Sequence, residues 1–293
     1  MSDETHLPGL RSDDATGSSL AGFVRRHDRD RYQTALFASA ARREALLALY
    51  AFNYEIARVR ETVSEPMLGQ IRLQWWREVV DAAYAGTPPR HHPVVVPLSA
   101  AIRAFDLGRA HFDRLIDARE RDLDDEPPAS LHALEEYAEG TSAPLIVLAL
   151  EALSVRRPGL DATARDIGIG YALAGLLRAM PFHARSGRSY IPVDLAEREA
   201  LDPAEYAAGH SSPALRNIVR RIAEAASRHL HAAREHRASI PRPAIAALLP
   251  AVVADRFLLR LRRAEYDVFA PALAAPDPLQ IWRLALAAMI SGL

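Results

Sequence analysis

The sequence contains neither cysteine nor lysine. Without cysteine there is no disulfide, no thiolate metal site and no thiol nucleophile. Without lysine, Schiff-base chemistry and a phosphate-binding P-loop lysine are excluded, and every one of the 36 basic residues is arginine. Neither sign of charge prevails. The 36 basic and 37 acidic residues leave a net charge of −1, so no global field recruits nucleic acid or an anionic membrane. Long apolar runs are missing as well, since uncharged stretches such as residues 167–177 fall short of the ~20 residues a spanning helix needs. Residues 1–20 are acidic and contain Gly and Ser but no apolar core. They fit neither a signal peptide nor a transit peptide and read as a disordered tail.

What is present is a chain of 293 residues with 49% hydrophobic content, ample for a buried core. From Leu20 onward apolar residues recur at three- and four-residue spacing, and no segment sustains the period-two alternation of a strand. The chain is therefore expected to be all-α. Helices are predicted at about residues 21–27, 32–62, 66–86, 94–105, 109–123, 130–139, 142–154, 161–183, 203–208, 213–237, 242–272 and 278–291. Pro and Gly mark most of the breaks. Ser64-Glu65-Pro66 and Ser212-Pro213 each place a cap-type residue ahead of a proline suited to a first turn. After the second of these, Leu215, Ile218, Val219, Ile222, Ala226 and Leu230 form one stripe. No internal repeat or long linker is visible, so residues 21–293 are expected to form a single large helical domain.

Candidate chemistry concentrates on two apolar helical stretches, residues 50–61 (YAFNYEIARVRE) and 171–184 (YALAGLLRAMPFHA). Residues four apart share a helix face. In the first stretch that face runs Tyr50, Asn53 and Tyr54, Ala57, Glu61; in the second it runs Gly175, Ala179, His183. This is the layout of a paired metal-carboxylate pocket, but only Glu61 is acidic. Glu55, Arg58, Arg60 and Glu61 read as a charged, solvated face. The densest acidic run, residues 117–126 (DARERDLDDE), reads as a helix end entering a solvated loop, because Arg119 and Arg121 interrupt it and two prolines follow. His91 with His92, and His229 with His231 and His236, lack the i,i+4 spacing of a zinc helix and read as surface histidines, so no structural metal is expected. Arg178, Arg185 and Arg188 lie close in sequence around the loop at residues 186–192 (SGRSYIP). Guanidinium forks suit phosphate or carboxylate, so these arginines read equally as an anion site or as an Arg-rich helix exit with ordinary salt bridges; the candidate anion or ligand pocket is taken as Tyr50, Asn53, Glu55, Arg178, Arg188 and Tyr190. Trp75 and Trp76, and Ile281 and Trp282 with Leu284 and Leu286, read as core packing, with one ring of the adjacent pair turned toward a partner surface. No G-x-S-x-G, G-x-G-x-x-G or Walker pattern occurs.

The order of these segments resembles the squalene/phytoene synthase family from about residue 30 to residue 286. Residues 30–52 (DRYQTALFASAARREALLALYAF) look like that family's opening helices, and Arg178 with residues 185–192 (RSGRSYIP) looks like its second motif and the loop after it. A more specific resemblance, to the non-catalytic branch that assists assembly of mitochondrial respiratory complex I, is carried by five blocks. These are residues 51–65 (AFNYEIARVRETVSE), 69–76 (GQIRLQWW), 117–125 (DARERDLDD), 137–144 (YAEGTSAP) and 177–183 (LRAMPFH).

The resemblance implies an isoprenoid-synthase-type helical fold. In the active family two Asp-rich motifs bind Mg²⁺ and two prenyl diphosphates are joined. Position by position, Ala57, Arg58 and Glu61 stand where the first motif's acids would be, and Ala179 and His183 where the second's would be. It further implies a protein without transferase activity, cofactor or bound metal, whose partner is a complex I subunit or assembly intermediate and not nucleic acid. The absent transit peptide points to a bacterial counterpart, placed in the cytoplasm with peripheral contact at the inner face of the cytoplasmic membrane. Two alternatives stand beside it. One is a divergent Mg²⁺-dependent prenyltransferase, with Glu55, Glu61 and Asp122 or Asp125 as metal ligands; the other is an isoprenoid- or lipid-binding protein gripping a head group through Arg178 and Arg188.

Overall fold

The computed structural model describes residues 19–236 and 240–290, and the expected tail at residues 1–20 lies almost wholly outside them. Two short helices open the chain, α1 (Leu20–His27) and α2 (Arg29–Ala35). Ser19 caps the first through its side chain, and Asp28 caps the second by accepting the Arg31 N–H at 3.1 Å. The single helix expected over residues 32–62 is split between α2 and the helix after it. Its main part is α3 (Ala40–Ala57), preceded by a turn at residues 36–39 that Arg43 clamps by donating to the Leu36 and Ala38 carbonyls. It ends in a 3₁₀ turn, Val59–Thr62. Both α4 (Pro66–Tyr84) and α5 (Val95–Phe105) fall where the periodicity puts them, with Pro66 in the first turn of α4.

Three helices form the centre: α6 (Arg109–Glu120), α7 (Leu131–Ala152) and α8 (Leu160–Arg185). The sequence divides α7 near Gly140, yet the helix runs through both Gly140 and Pro144. Gly140 earns its place by close approach, since a Cβ there would stand 2.9 Å from the Cβ of Ala118 on α6. Short helices α9 (Val193–Arg198), absent from the sequence expectation, and α10 (Pro203–Ala207) lead to α11 (Pro213–Glu235). The cap at Ser212 and the whole stripe from Leu215 to Leu230 form as expected, every stripe residue being buried.

The helix expected over residues 242–272 breaks into a 3₁₀ turn, α12 (Ile245–Leu248), α13 (Pro250–Arg263) and α14 (Pro271–Ala274), before α15 (Gln280–Met289). Among the described residues there is no strand, and one continuous apolar core joins the helices. Packing corrects three further expectations. Trp75 and Trp76 sit edge to face at 4.9 Å, and His92, read as a surface residue, packs against both rings at 5.5 and 5.8 Å. His229 bridges Asp166 at 2.8 Å and Glu135 at 3.6 Å. Near the end of the chain Leu284 is buried, but Trp282 and Leu286 are 72% and 55% exposed.

Candidate functional site

A cavity of about 510 Å³ opens between α1, α2, α3, α6, α7 and α8. The break between α1 and α2 lays residues 26–31 along it, because the Asp28 carboxylate both caps α2 and holds the Arg31 guanidinium at 2.8 Å. Arg31 is further held over the Tyr171 ring, 4.7 Å from its centroid. Opposite, Nη1 of Arg178 on α8 lies 2.6 Å from Oδ2 of Asp30, whose Oδ1 accepts from Gln280 at 2.7 Å. Burial pushes the Asp30 carboxyl upward, but Arg178 and Gln280 outweigh it and hold the group below its usual range. Counting the charged lining gives five guanidinium groups (Arg26, Arg29, Arg31, Arg119, Arg178) against two carboxylates (Asp28, Asp30). Two polar atoms in the wall, Oδ1 of buried Asn53 and Oγ of buried Ser142, have no partner among the described residues.

Behind the cavity floor lies a feature the sequence places in a solvated loop. Asp122 is 5% exposed. Its carboxylate accepts from the Tyr137 phenol at 2.6 Å, the Tyr190 phenol at 2.9 Å and Arg119 at 3.1 Å, while Arg188 donates to its carbonyl at 2.8 Å. Burial first, and the Asp122 charge second, push Tyr137 well up and Tyr190 up to about 12, so both phenols remain donors. The i,i+3 spacing of Arg119 and Asp122 was the available signal for this pair.

The residues of the expected pocket separate into four places. Asn53 and Arg178 line the cavity. Tyr50 is buried behind it, with the Arg31 guanidinium 5.9 Å from its ring. Arg188 and Tyr190 belong to the Asp122 cluster, and Glu55, partly buried on α3, faces Arg58 at 4.0 Å. Arg60 reaches Asp125 at 2.9 Å. None of Ala57, Arg58, Glu61, Ala179 and His183 lines the cavity. His183 is 9% exposed, its ring 4.9 Å from that of Tyr190. Burial first, and Arg188 second, pull its pKa down to about 4, and its Nδ1 has no partner among the described residues.

The fold and this interhelical cavity define an all-α isoprenoid-synthase-type protein. The chain belongs to the squalene/phytoene synthase family, whose model matches residues 24–287. It is 32% identical over 267 residues to the Bos taurus protein named NADH dehydrogenase (ubiquinone) complex I, assembly factor 6, a match covering 89% of this chain and 80% of that one. Presqualene diphosphate synthase of Rhodopseudomonas palustris is 28% identical over 199 residues, 65% of this chain and 68% of that one. The fold is shared with a crystal structure of a dehydrosqualene synthase in complex with ligand. That likeness has a TM-score of 0.81 at 17% identity and covers 92% of this chain and 94% of that one.

Mg²⁺ takes hard oxygen ligands in octahedral array, usually from carboxylates and substrate phosphates. This chain's residues do not fit it. The cavity wall is guanidinium-rich, and among the described residues no group of three or more Asp, Glu or His could hold a metal ion.

Proposed function

We propose that this protein is a non-catalytic member of its family that assists assembly of NADH:ubiquinone oxidoreductase by engaging a subunit or assembly intermediate. What supports this reading is the family resemblance, which sets Ala57, Arg58, Ala179 and a buried, neutral His183 against the family's acidic positions and leaves Glu61 as the one acid among them. Ionising a prenyl diphosphate without metal forgoes several kcal/mol of charge stabilisation, by the order of magnitude of Lewis-acid catalysis. The similarity to assembly factor 6 is also higher and longer than that to presqualene diphosphate synthase. Among the described residues no helix is long and apolar enough to cross a membrane. Peripheral contact at the inner face of the cytoplasmic membrane is supported by α15, where Leu279, Trp282, Leu286 and Met289 form an exposed stripe. Deleting the gene tests the assembly role: assembled complex I on a native gel should fall while its subunits are still synthesised, and an unchanged level would refute it.

The five guanidinium groups around Asn53 and Ser142 favour a second reading, in which the cavity retains an isoprenoid or other lipid by its anionic head without metal. Extraction of the purified protein followed by mass spectrometry should then recover a phosphorylated lipid in stoichiometric amount, and its absence would remove this reading.

A further inference from the structure

A second cavity, of about 840 Å³, shares no lining residue with the first and lies against another face of α7. Its origin is a pair of close helix contacts. Gly168 on α8 lets the Ala143 backbone approach so closely that a Cβ would stand 2.5 Å from its Cα, while Gly140 lets α7 meet Ala118 on α6. Past those contacts, toward the end of α7 and the start of α8, the same three helices line open space floored by Pro144, Val147, Leu150 and Leu160. Its volume lies in the range of ligand pockets, roughly 300–1,000 Å³.

The rim carries charge that is almost, but not wholly, spent. Arg114, Arg156, Arg157 and Arg165 stand against Glu139, Glu151 and Asp161, an excess of one cation. His111 adds none, because burial pulls its ring below the usual pKa. Arg114 and Arg165 share Glu139 at 3.5 and 2.8 Å, and Arg156 takes Glu151 at 3.5 Å, whose other oxygen accepts the Gly108 N–H at 2.8 Å. Asp161 sits in the first turn of α8, where the helix dipole favours it. Arg157, exposed on the loop between α7 and α8, has no carboxylate partner among the described residues. An apolar floor with one uncommitted guanidinium at its rim complements a molecule that is apolar along its length and singly anionic at one end.

We propose that this cavity binds a single-chain amphiphile bearing one carboxylate, its chain along Val147, Leu150 and Leu160 and its head paired with Arg157. The delipidated full-length protein, titrated with the fluorescent fatty acid cis-parinarate, should show saturable one-to-one binding that palmitate reverses and acetate does not. Arg157→Glu should weaken palmitate about tenfold, the loss of one charge-assisted contact, while displacement by hexadecanol stays within twofold. Val147→Trp, at a half-buried position, should abolish binding with an unchanged melting temperature, whereas Gly175→Leu, in the Arg-rich cavity, should leave it intact. Non-saturable fluorescence, equal affinity in Arg157→Glu, or binding lost in Gly175→Leu and kept in Val147→Trp would each overturn the assignment.

Discussion

The Tyr137 phenol donates to Oδ1 of Asp122 across 2.6 Å, and both groups are buried. Together with Tyr190, Arg119 and Arg188 they join the end of α6 to α7 and to the loop after α8. Asp122→Ala would leave Arg119 a buried charge without its carboxylate, a loss of about 3–5 kcal/mol for a broken buried pair. Tyr137→Phe removes the bond to Asp122 and the one its oxygen accepts from Arg119 at 3.0 Å, while leaving the ion pair intact, and should cost about 1.5–3 kcal/mol. Urea unfolding of the two variants checks the order; Asp122→Ala as mild as a surface substitution would contradict the buried cluster.

His183 gives stability a pH dependence. Its pKa falls from the usual 6.5 unfolded to about 4 folded, so between those values the unfolded chain binds the extra proton. The contribution is complete above pH 6.5 and is lost as pH falls through about 4, a change on the order of 3 kcal/mol. His27, His92 and His111 are lowered in the same direction, chiefly by burial. Replacing His183→Leu should flatten the unfolding free energy measured between pH 6.5 and 4, and a profile as steep as the parent's would exclude this residue as the cause.

Two glycines of α8 should respond oppositely to alanine. At Gly168 the new Cβ would meet the Ala143 backbone at 2.5 Å, forcing α7 and α8 apart at about 1–3 kcal/mol, the usual cost of overpacking. At Gly175 nothing lies within 4 Å, and the gain in helix propensity should stabilise by up to about 1 kcal/mol. Thermal melts of the two variants should therefore move in opposite directions.

The exposed stripe of α15 should matter for contact and not for folding. Trp282→Ser with Met289→Ser should change stability by no more than about 0.5 kcal/mol per site, as surface substitutions do. Sedimentation with phosphatidylglycerol-containing vesicles should nevertheless fall several-fold. Equal sedimentation of parent and variant would rule out this face as the membrane contact.

Helical periodicity made the all-α fold and most elements legible, because α4, α5 and α11 each bury one apolar stripe. Boundaries failed where tertiary contact overrides local preference. Gly140 and Pro144 read as a break, yet Gly140 is needed inside α7 for its approach to Ala118. The site was legible only in part. Asn53 and Arg178 could be picked out by helical spacing and charge, but three of the cavity's other four cations come from residues 26–31, which the break at Asp28 lays along it, and no periodic pattern marks such a break. Asp122 was misplaced for a related reason, since its acidic neighbours in sequence hid partners, Tyr137 and Tyr190, that only folding supplies.

The central claim is that this chain no longer assembles the metal-diphosphate centre of the transferases in its family. Single-turnover incubation of the purified protein with Mg²⁺ and radiolabelled farnesyl diphosphate tests it most directly. The account predicts that the substrate is recovered unchanged at enzyme-level concentrations, and formation of presqualene diphosphate or squalene would contradict it.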